Sequence, residues 1–114
     1  MRPGKDYVPK ERDIVWLEFT PQAGHEQSGR RPALVISPGE YNEKTGLAIF
    51  CPITSKEKGY PFEVKINIKK MVKGVILSDQ VKSLDWRKRK AKYITRVSKK
   101  IMDKVIEKIL LLIH

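Results

Sequence analysis

The chain has 114 residues, which is enough for one compact domain, and we expect that domain to span 1–114. Hydrophobic residues make up 40% of the chain, so it can bury a modest core. The 24 Lys and Arg exceed the 13 Asp and Glu, and the net charge of +11 indicates either a polyanionic partner or simply a soluble basic surface.

Cysteine usage and hydropathy exclude several classes of protein. Cys51 is the only cysteine, which excludes an internal disulfide, and its apolar neighbours favour a buried small hydrophobe over a catalytic thiol. The N-terminus has no apolar stretch typical of a secretory signal. The longest apolar run, 109–113, is too short to span a membrane. We therefore expect a cytoplasmic protein without a membrane segment.

Most of the chain has the pattern of short strands, with β-branched and aromatic residues between polar loops. The loop at 20–32 is long and rich in Gly, Pro and polar residues, and loops of this length in compact domains are often functional. A second polar loop is predicted at 40–46, after the turn formed by Ser37, Pro38 and Gly39. The predicted strands are 13–19, 33–36, 47–53, 62–66, 74–77 and 93–97.

The C-terminal segment changes to helical spacing. Apolar residues recur on one face from Ile101 to Ile113, and charged residues occupy the other face. Ser98 is a plausible N-cap because its hydroxyl can accept a hydrogen bond from a first-turn amide. Several short strands followed by one helix predict a mainly β (α+β) fold. The expected architecture is a small, partly open β-barrel whose helix seals one edge or face.

Three motifs in register carry a family resemblance. The first is E-Q-x-G-x-R-P at 26–32, the second is Thr54 followed by G-Y-P-F-E-V at 59–64, and the third is G-V-I-L-S-D-Q-V-K-S-L-D-W at 74–86. With Trp16, Ser37-Pro38 and Tyr41-Asn42, they resemble the MazF/PemK/Kid toxins in order and spacing. The resemblance extends from about Tyr7 to the final helix.

The resemblance implies an SH3-like barrel, a homodimer, and sequence-specific cleavage of single-stranded RNA. It also implies inhibition by an acidic antitoxin. RNA carries its own nucleophile, since the 2′-OH can attack the adjacent phosphate without a metal or cofactor. Such a reaction needs a base, a cation for the growing phosphorane charge and a proton for the leaving 5′ oxygen. The products are a 2′,3′-cyclic phosphate and a 5′-OH.

The family motifs match Arg31, Glu26 and Thr54 to catalytic positions. The planar guanidinium of Arg31 suits two phosphate oxygens, and its pKa above 12 favours electrostatic stabilisation over proton donation. Glu26 is the candidate base, or it orients Arg31 by a salt bridge. The Thr54 hydroxyl can donate to a phosphate oxygen, although a turn-capping threonine is the simpler interpretation.

Further residues are predicted to contact RNA rather than to react. His25 could be a general acid, but an exposed loop histidine is the preferred interpretation. Asp79 matches a base proposed for the Kid branch, which has an arginine two residues earlier where this chain has Leu77. Asp79 is therefore assigned to base recognition or strand support. The predicted RNA-binding set is His25, Gln27, Arg30, Asn42, Lys58, Asp79, Gln80 and Lys82.

The basic run 87–92 is either a solvated loop or a contact for RNA phosphates or antitoxin carboxylates. Trp16 and Trp86 could stack bases, although Trp16 within a strand is more often a core residue. A metal site is not expected, because Gly29 occupies the position where H-E-x-x-H requires histidine. The alternative function is a non-catalytic CcdB-like toxin that poisons a protein such as DNA gyrase, and a plain nucleic-acid-binding barrel is a third possibility.

Overall fold

The computed structural model describes residues 7–19 and 29–113. Its elements, in chain order, are β1 (Asp13–Glu18), β2 (Arg30–Val35), α1 (Gly39–Thr45), β3 (Leu47–Thr54), β4 (Glu63–Ile68), β5 (Val72–Leu77), β6 (Lys82–Asp85), β7 (Lys92–Arg96) and α2 (Lys99–Ile113). The strands pair antiparallel in the order β4-β5-β3-β2-β1-β7, and β6 pairs with β3. This curled antiparallel sheet with a C-terminal helix confirms the predicted fold class.

The sheet buries apolar side chains on both faces because successive strand residues point to opposite sides. In β1, Ile14 joins the cluster beneath α2, where Met102 and Val105 pack. Its neighbour Val15 joins a second cluster with Phe50 and other apolar residues of the opposite face. Cys51 is fully buried in the first cluster as a free cysteine, and its apolar neighbours in the sequence predicted this burial.

The C-terminal helix begins as its sequence predicts. The Ile101 amide donates to the Ser98 hydroxyl at 3.2 Å, which satisfies one of the unpaired first-turn amides. Met102, Val105 and Ile109 are the buried residues of α2, and they face the sheet. The helix thus covers one face of the sheet, as expected from its apolar spacing.

Two elements differ from the sequence predictions. The predicted polar loop at 40–46 contains the helix α1, which begins after Pro38 and ends at Gly46 in a left-handed conformation with φ of 73°. A proline before the first turn and a left-handed glycine after the last are ordinary helix boundaries. The short strand β6 was not predicted, and it pairs with the first half of β3. Neither element has an apolar period long enough to reveal it in the sequence.

Candidate active site

Arg31 lies in β2 rather than in the preceding loop, which corrects its predicted setting. It is the second residue of the strand and stands opposite Leu17 of β1. Its side chain is half-buried, because a strand position holds it against the sheet. A strand fixes the direction of a side chain more firmly than a loop does, so Arg31 is held at the start of an interior strand that pairs with β1 and β3.

Thr54 is the last residue of β3, and the sheet register brings it to the same end as Arg31. β2 and β3 pair through Ala33 opposite Pro52, and from that pair Arg31 lies two residues back along β2 while Thr54 lies two residues on along β3. Because alternate strand residues share a face, both positions lie on one side of the sheet. The Thr54 hydroxyl accepts a hydrogen bond from the Lys56 amide at 3.2 Å, which is the turn-capping contact considered above.

Tyr60 connects the loop after β3 to the turn after β5. Its hydroxyl donates to the Asp79 carboxylate at 2.9 Å. Partial burial, followed by the Asp79 hydrogen bond, raises the pKa of Tyr60 to about 12, so the phenol stays protonated at neutral pH. The predicted site set lacks Tyr60, although its motif includes the residue. Its hydrogen bond holds Asp79 in one orientation.

The single cysteine contributes no nucleophile. Burial, followed by the charge of Asp79, raises the pKa of Cys51 to about 12. The thiol therefore stays protonated at neutral pH, and only a thiolate is strongly nucleophilic.

The loop between β3 and β4 is shaped by one carboxylate. Glu63 accepts hydrogen bonds from the backbone amides of Lys58 and Gly59 at 2.9 and 2.8 Å. The side chain of Lys58 is exposed beside this bend. Its position between Thr54 and Tyr60 is compatible with the predicted role of Lys58 in binding RNA.

The basic run forms a turn beside the Arg31 end of the sheet. Arg89 donates from its guanidinium to the Glu18 carbonyl at 3.0 Å, and Arg30 donates to the Lys90 carbonyl at 3.2 Å. These contacts tie the turn to the ends of β1 and β2. The structure therefore places the 87–92 cations next to Arg30 and Arg31, a proximity that the sequence alone does not reveal.

Asn42 does not belong to this site. Its side chain is fully buried, and its amide donates to the carbonyls of Pro9 at 2.7 Å and Ser37 at 3.1 Å. It also lies before the start of β3, whereas Thr54 lies at the end of that strand. The predicted RNA contact of Asn42 is therefore corrected to a structural role in anchoring α1.

The two tryptophans differ in their exposure. Trp16 is 39% exposed and stands opposite Pro32 on one side and Lys92 on the other, so its interpretation as a core residue is wrong. Trp86 is buried, and its indole donates to the Asn42 carbonyl at 2.9 Å. Trp16 is thus the tryptophan whose ring is accessible for stacking on a base.

The remaining predicted residues have mixed outcomes. Gln80 and Lys82 are half-buried in the segment after β5, and Lys82 stands opposite Phe50 of β3. Glu26, His25 and Gln27 lie outside the described residues.

Within 7–19 and 29–113, no three His, Cys, Asp or Glu side chains come close enough to hold a metal ion. No helix in the same ranges is long and apolar enough to cross a membrane.

Sequence comparison identifies the family. Residues 10–113 match the family model described as a PemK-like, MazF-like toxin of type II toxin-antitoxin systems. The chain belongs to this toxin family. The match to the PemK/MazF-like model runs from before β1 to the end of α2, so it includes Arg31, Thr54 and Asp79. The resemblance found in the three motifs is confirmed.

Individual PemK/MazF-like proteins match over most of their lengths. Endoribonuclease toxin MazF of Escherichia coli K12 is 51% identical over 85 residues, which cover 75% of this chain and 76% of that protein. Endoribonuclease PemK of Escherichia coli is 34% identical over 84% of this chain and 76% of its own length. The crystal structure of MazF from Deinococcus radiodurans is 52% identical with a TM-score of 0.91, covering 95% of this chain and 98% of that one. A MazE-MazF structure from the same organism has a TM-score of 0.83 at 45% identity, covering 95% and 97%.

Proposed function

We propose that this PemK/MazF-like chain is an endoribonuclease toxin that cleaves single-stranded RNA in a sequence-specific, metal-independent reaction. The observation that carries the proposal is the sheet register, which brings Arg31 and Thr54 to one end of neighbouring strands on the same face. The named activity of the similar MazF and PemK proteins favours cleavage over the CcdB-like, non-catalytic alternative.

Arg31 supplies the electrostatic part of the mechanism. Its guanidinium can donate two parallel hydrogen bonds to phosphate oxygens, and these bonds strengthen as charge develops in the phosphorane. The Thr54 hydroxyl can donate a further hydrogen bond while it still accepts the one from the Lys56 amide. Because both groups lie on rigid strands, they cost little reorganisation when the transition state forms.

Glu26 is proposed as the base that removes the proton of the 2′-OH. It lies five residues before Arg31 in the sequence, within the family motif E-Q-x-G-x-R-P. Asp79 is proposed to contact a base of the RNA in the orientation that Tyr60 imposes. Arg30, Lys58, Gln80 and Lys82 are proposed to bind the backbone or bases near the cut, together with His25 and Gln27.

The regulatory partner is proposed to be an acidic antitoxin, and the active form a homodimer. The net charge of +11 favours an acidic ligand. Similar MazF chains have been crystallised as MazE-MazF complexes. The basic turn at 87–92, beside Arg30, offers a surface on which carboxylates and phosphates can compete.

The test is to map the cleavage ends on a defined long RNA in the presence of excess EDTA. We expect cleavage at a short repeated motif, with 2′,3′-cyclic phosphate and 5′-OH ends. A matched substrate with a 2′-deoxy nucleotide on the 5′ side of the cut should remain intact. Efficient cleavage of that substrate, or complete inhibition by EDTA, would contradict 2′-OH attack without a metal.

A further inference from the structure

The outer side of the β4–β5 hairpin is an exposed basic surface that the proposed mechanism does not use. Lys65 stands opposite Val75, and Asn67 stands opposite Lys73, so these side chains share one side of the hairpin. Lys65, Asn67 and Lys73 are exposed, whereas Val64 and Ile66 point to the core on the other side. We call the surface formed by Lys65, Asn67 and Lys73 the hairpin face.

The hairpin face is continuous with the candidate active site. Val75 of β5 stands opposite Lys65 of β4 on one side and opposite Thr54 of β3 on the other. Two strand spacings, about 10 Å in all, therefore separate the backbone at Lys65 from that at Thr54. The backbones approach so closely here that a side chain at Gly74 would collide with the Thr54 carbonyl. This contact fixes the hairpin beside the active site.

A groove with the dimensions of a binding site follows the same surface. Its volume is about 760 Å³, and its lining includes Ser55, Lys65, Asn67 and Lys73. The one acidic residue in the lining, Glu57, forms an exposed ion pair with Lys65 at 3.3 Å. Exposed ion pairs of this kind contribute little, so the Lys65 ammonium can exchange Glu57 for a phosphate at low cost.

Further cations stand at the tip of the hairpin. The connection between the strands has three residues, 69–71, and Lys69 and Lys70 are the central residues of a β-turn closed by a hydrogen bond from the Met71 amide to the Ile68 carbonyl at 2.8 Å. Both lysines have left-handed backbones, with φ of 48° and 61°. Asn-Gly is the favoured pair in such turns, and side-chain sterics disfavour lysine there. Stability alone therefore does not account for two lysines at the tip.

We infer that the hairpin face binds the RNA backbone next to the cleavage site and so extends the substrate-binding surface beyond the recognition motif. This inference rests on the proposed function. The chemistry of the face favours phosphates over an acidic protein segment. Lys65, Lys73 and Asn67 can all donate hydrogen bonds, whereas the exposed apolar side chain of the hairpin, Met71, lies in the turn at its tip and not among them.

Cleavage of matched substrates tests the inference. The first substrate carries only the mapped cleavage motif, and two others add flanking nucleotides on its 5′ or its 3′ side. The variant is Lys65→Gln with Lys73→Gln. The control is Lys44→Gln with Lys100→Gln, which removes the same charge from two exposed sites on the helices α1 and α2.

We expect the hairpin variant to cleave the motif-only substrate at the wild-type kcat/KM. On one of the flanked substrates its kcat/KM should fall by about two- to tenfold, since each exposed charge contact is weak. Affinity for the same flanked RNA, made uncleavable by a 2′-deoxy nucleotide at the cut, should depend less on salt. The slope of log K against log salt should decrease by about 1.4 for two lost phosphate contacts. The control variant should match the wild type in every assay.

Equal losses on all substrates, or none on any, would overturn the inference. A selective loss of affinity for an acidic peptide, with RNA binding unchanged, would also overturn it and assign the face to a protein partner. If the wild type cleaves no RNA at all, the proposed function fails, and the salt dependence of binding to uncleavable flanked RNA still tests the hairpin face by itself.

Discussion

The Tyr60 hydroxyl donates to the Asp79 carboxylate at 2.9 Å, and this bond joins two loops that follow different strands. Tyr60 lies between β3 and β4, and Asp79 lies between β5 and β6. Each loop follows one strand of the antiparallel β3–β5 pair. The position of the Asp79 carboxylate is therefore controlled by a residue outside its own loop.

Tyr60→Phe removes this donor and leaves the ring. We expect kcat/KM for RNA cleavage to fall by up to about tenfold, because a hydrogen bond to a charged group contributes more than a neutral one but this pair is partly exposed. Single-turnover cleavage of a motif-containing RNA measures the effect. Tyr93→Phe is the matched control, since Tyr93 is exposed on β7 and should change nothing. Wild-type cleavage by Tyr60→Phe would remove the Tyr60–Asp79 bond from the mechanism.

Arg31→Ala should reduce kcat by about a hundredfold or more, which is the usual cost of losing one transition-state donor. Arg31→Lys should restore only part of that rate, because the ammonium keeps the charge but loses the two parallel hydrogen bonds. The fold should survive both changes, since Arg31 is half-buried at a strand end. Circular dichroism checks the fold, and Lys100→Ala, at an exposed position on α2, serves as the distant cation control. Full activity in Arg31→Ala would exclude the proposed role.

Lys69→Asn combined with Lys70→Gly should stabilise the protein. Both lysines have a left-handed backbone, which Asn and Gly adopt at lower cost. We expect the free energy of unfolding to rise by about 1 kcal/mol and the Tm by roughly 4 °C. Urea and thermal unfolding measure the change. Lys65→Gly, within β4, is the control and should lower stability by about 0.5–1 kcal/mol. A less stable double variant would show that the turn is not strained.

Alkaline pH should destabilise the fold through Cys51. Its folded pKa of about 12 exceeds the ordinary value of 9.0, so the unfolded chain loses its proton first as the pH rises. The free energy of unfolding is unaffected by the Cys51 thiol below about pH 9. Between about pH 9 and pH 12 the thiol lowers that free energy by up to about 1.4 kcal/mol per pH unit. Cys51→Ala should therefore lose stability less steeply than the wild type in urea unfolding from about pH 8 to about pH 10.5. Parallel curves for the two proteins would contradict the buried, protonated thiol.

The acidic partner and RNA should compete. The basic turn at 87–92 is tied to Arg30 through the Lys90 carbonyl, so carboxylates bound there would stand where RNA phosphates are expected. We expect an acidic antitoxin peptide to displace an uncleavable RNA, with an affinity that weakens as salt is added. Fluorescence anisotropy of the labelled RNA measures the displacement. A stable ternary complex with unchanged RNA affinity would indicate separate sites.

The local sequence was sufficient to predict those strands and helices whose sequence patterns span only a few residues. The apolar and β-branched runs predicted the central strands, because the alternation of buried and exposed positions is a property of each strand alone. The Ser98 cap and the stripe from Ile101 onwards predicted α2 for the same reason. The three motifs indicated the family, and they supplied Arg31, Thr54 and Asp79 as candidate site residues. They did not show how these residues are arranged in space.

Other features depended on neighbours that are distant in the chain. The helix α1 buries one residue, Asn42, so it has no apolar period, and the burial of Asn42 arises from contacts with Pro9 and Ser37. The exposure of Trp16 depends on which strands flank β1, because the alternation within a strand does not say which side is covered.

The site itself was decided by register. Arg31 and Thr54 are 23 positions apart in the sequence, and only the pairing of β2 with β3 brings them to one end of the sheet. The same holds for Lys65 and Thr54, which are related through Val75 of the strand between them. The sequence therefore determined which reactive side chains this protein has. Strand pairing decided which of them lie close together, because a shift of the strand register by one residue would turn every side chain of that strand to the opposite face of the sheet.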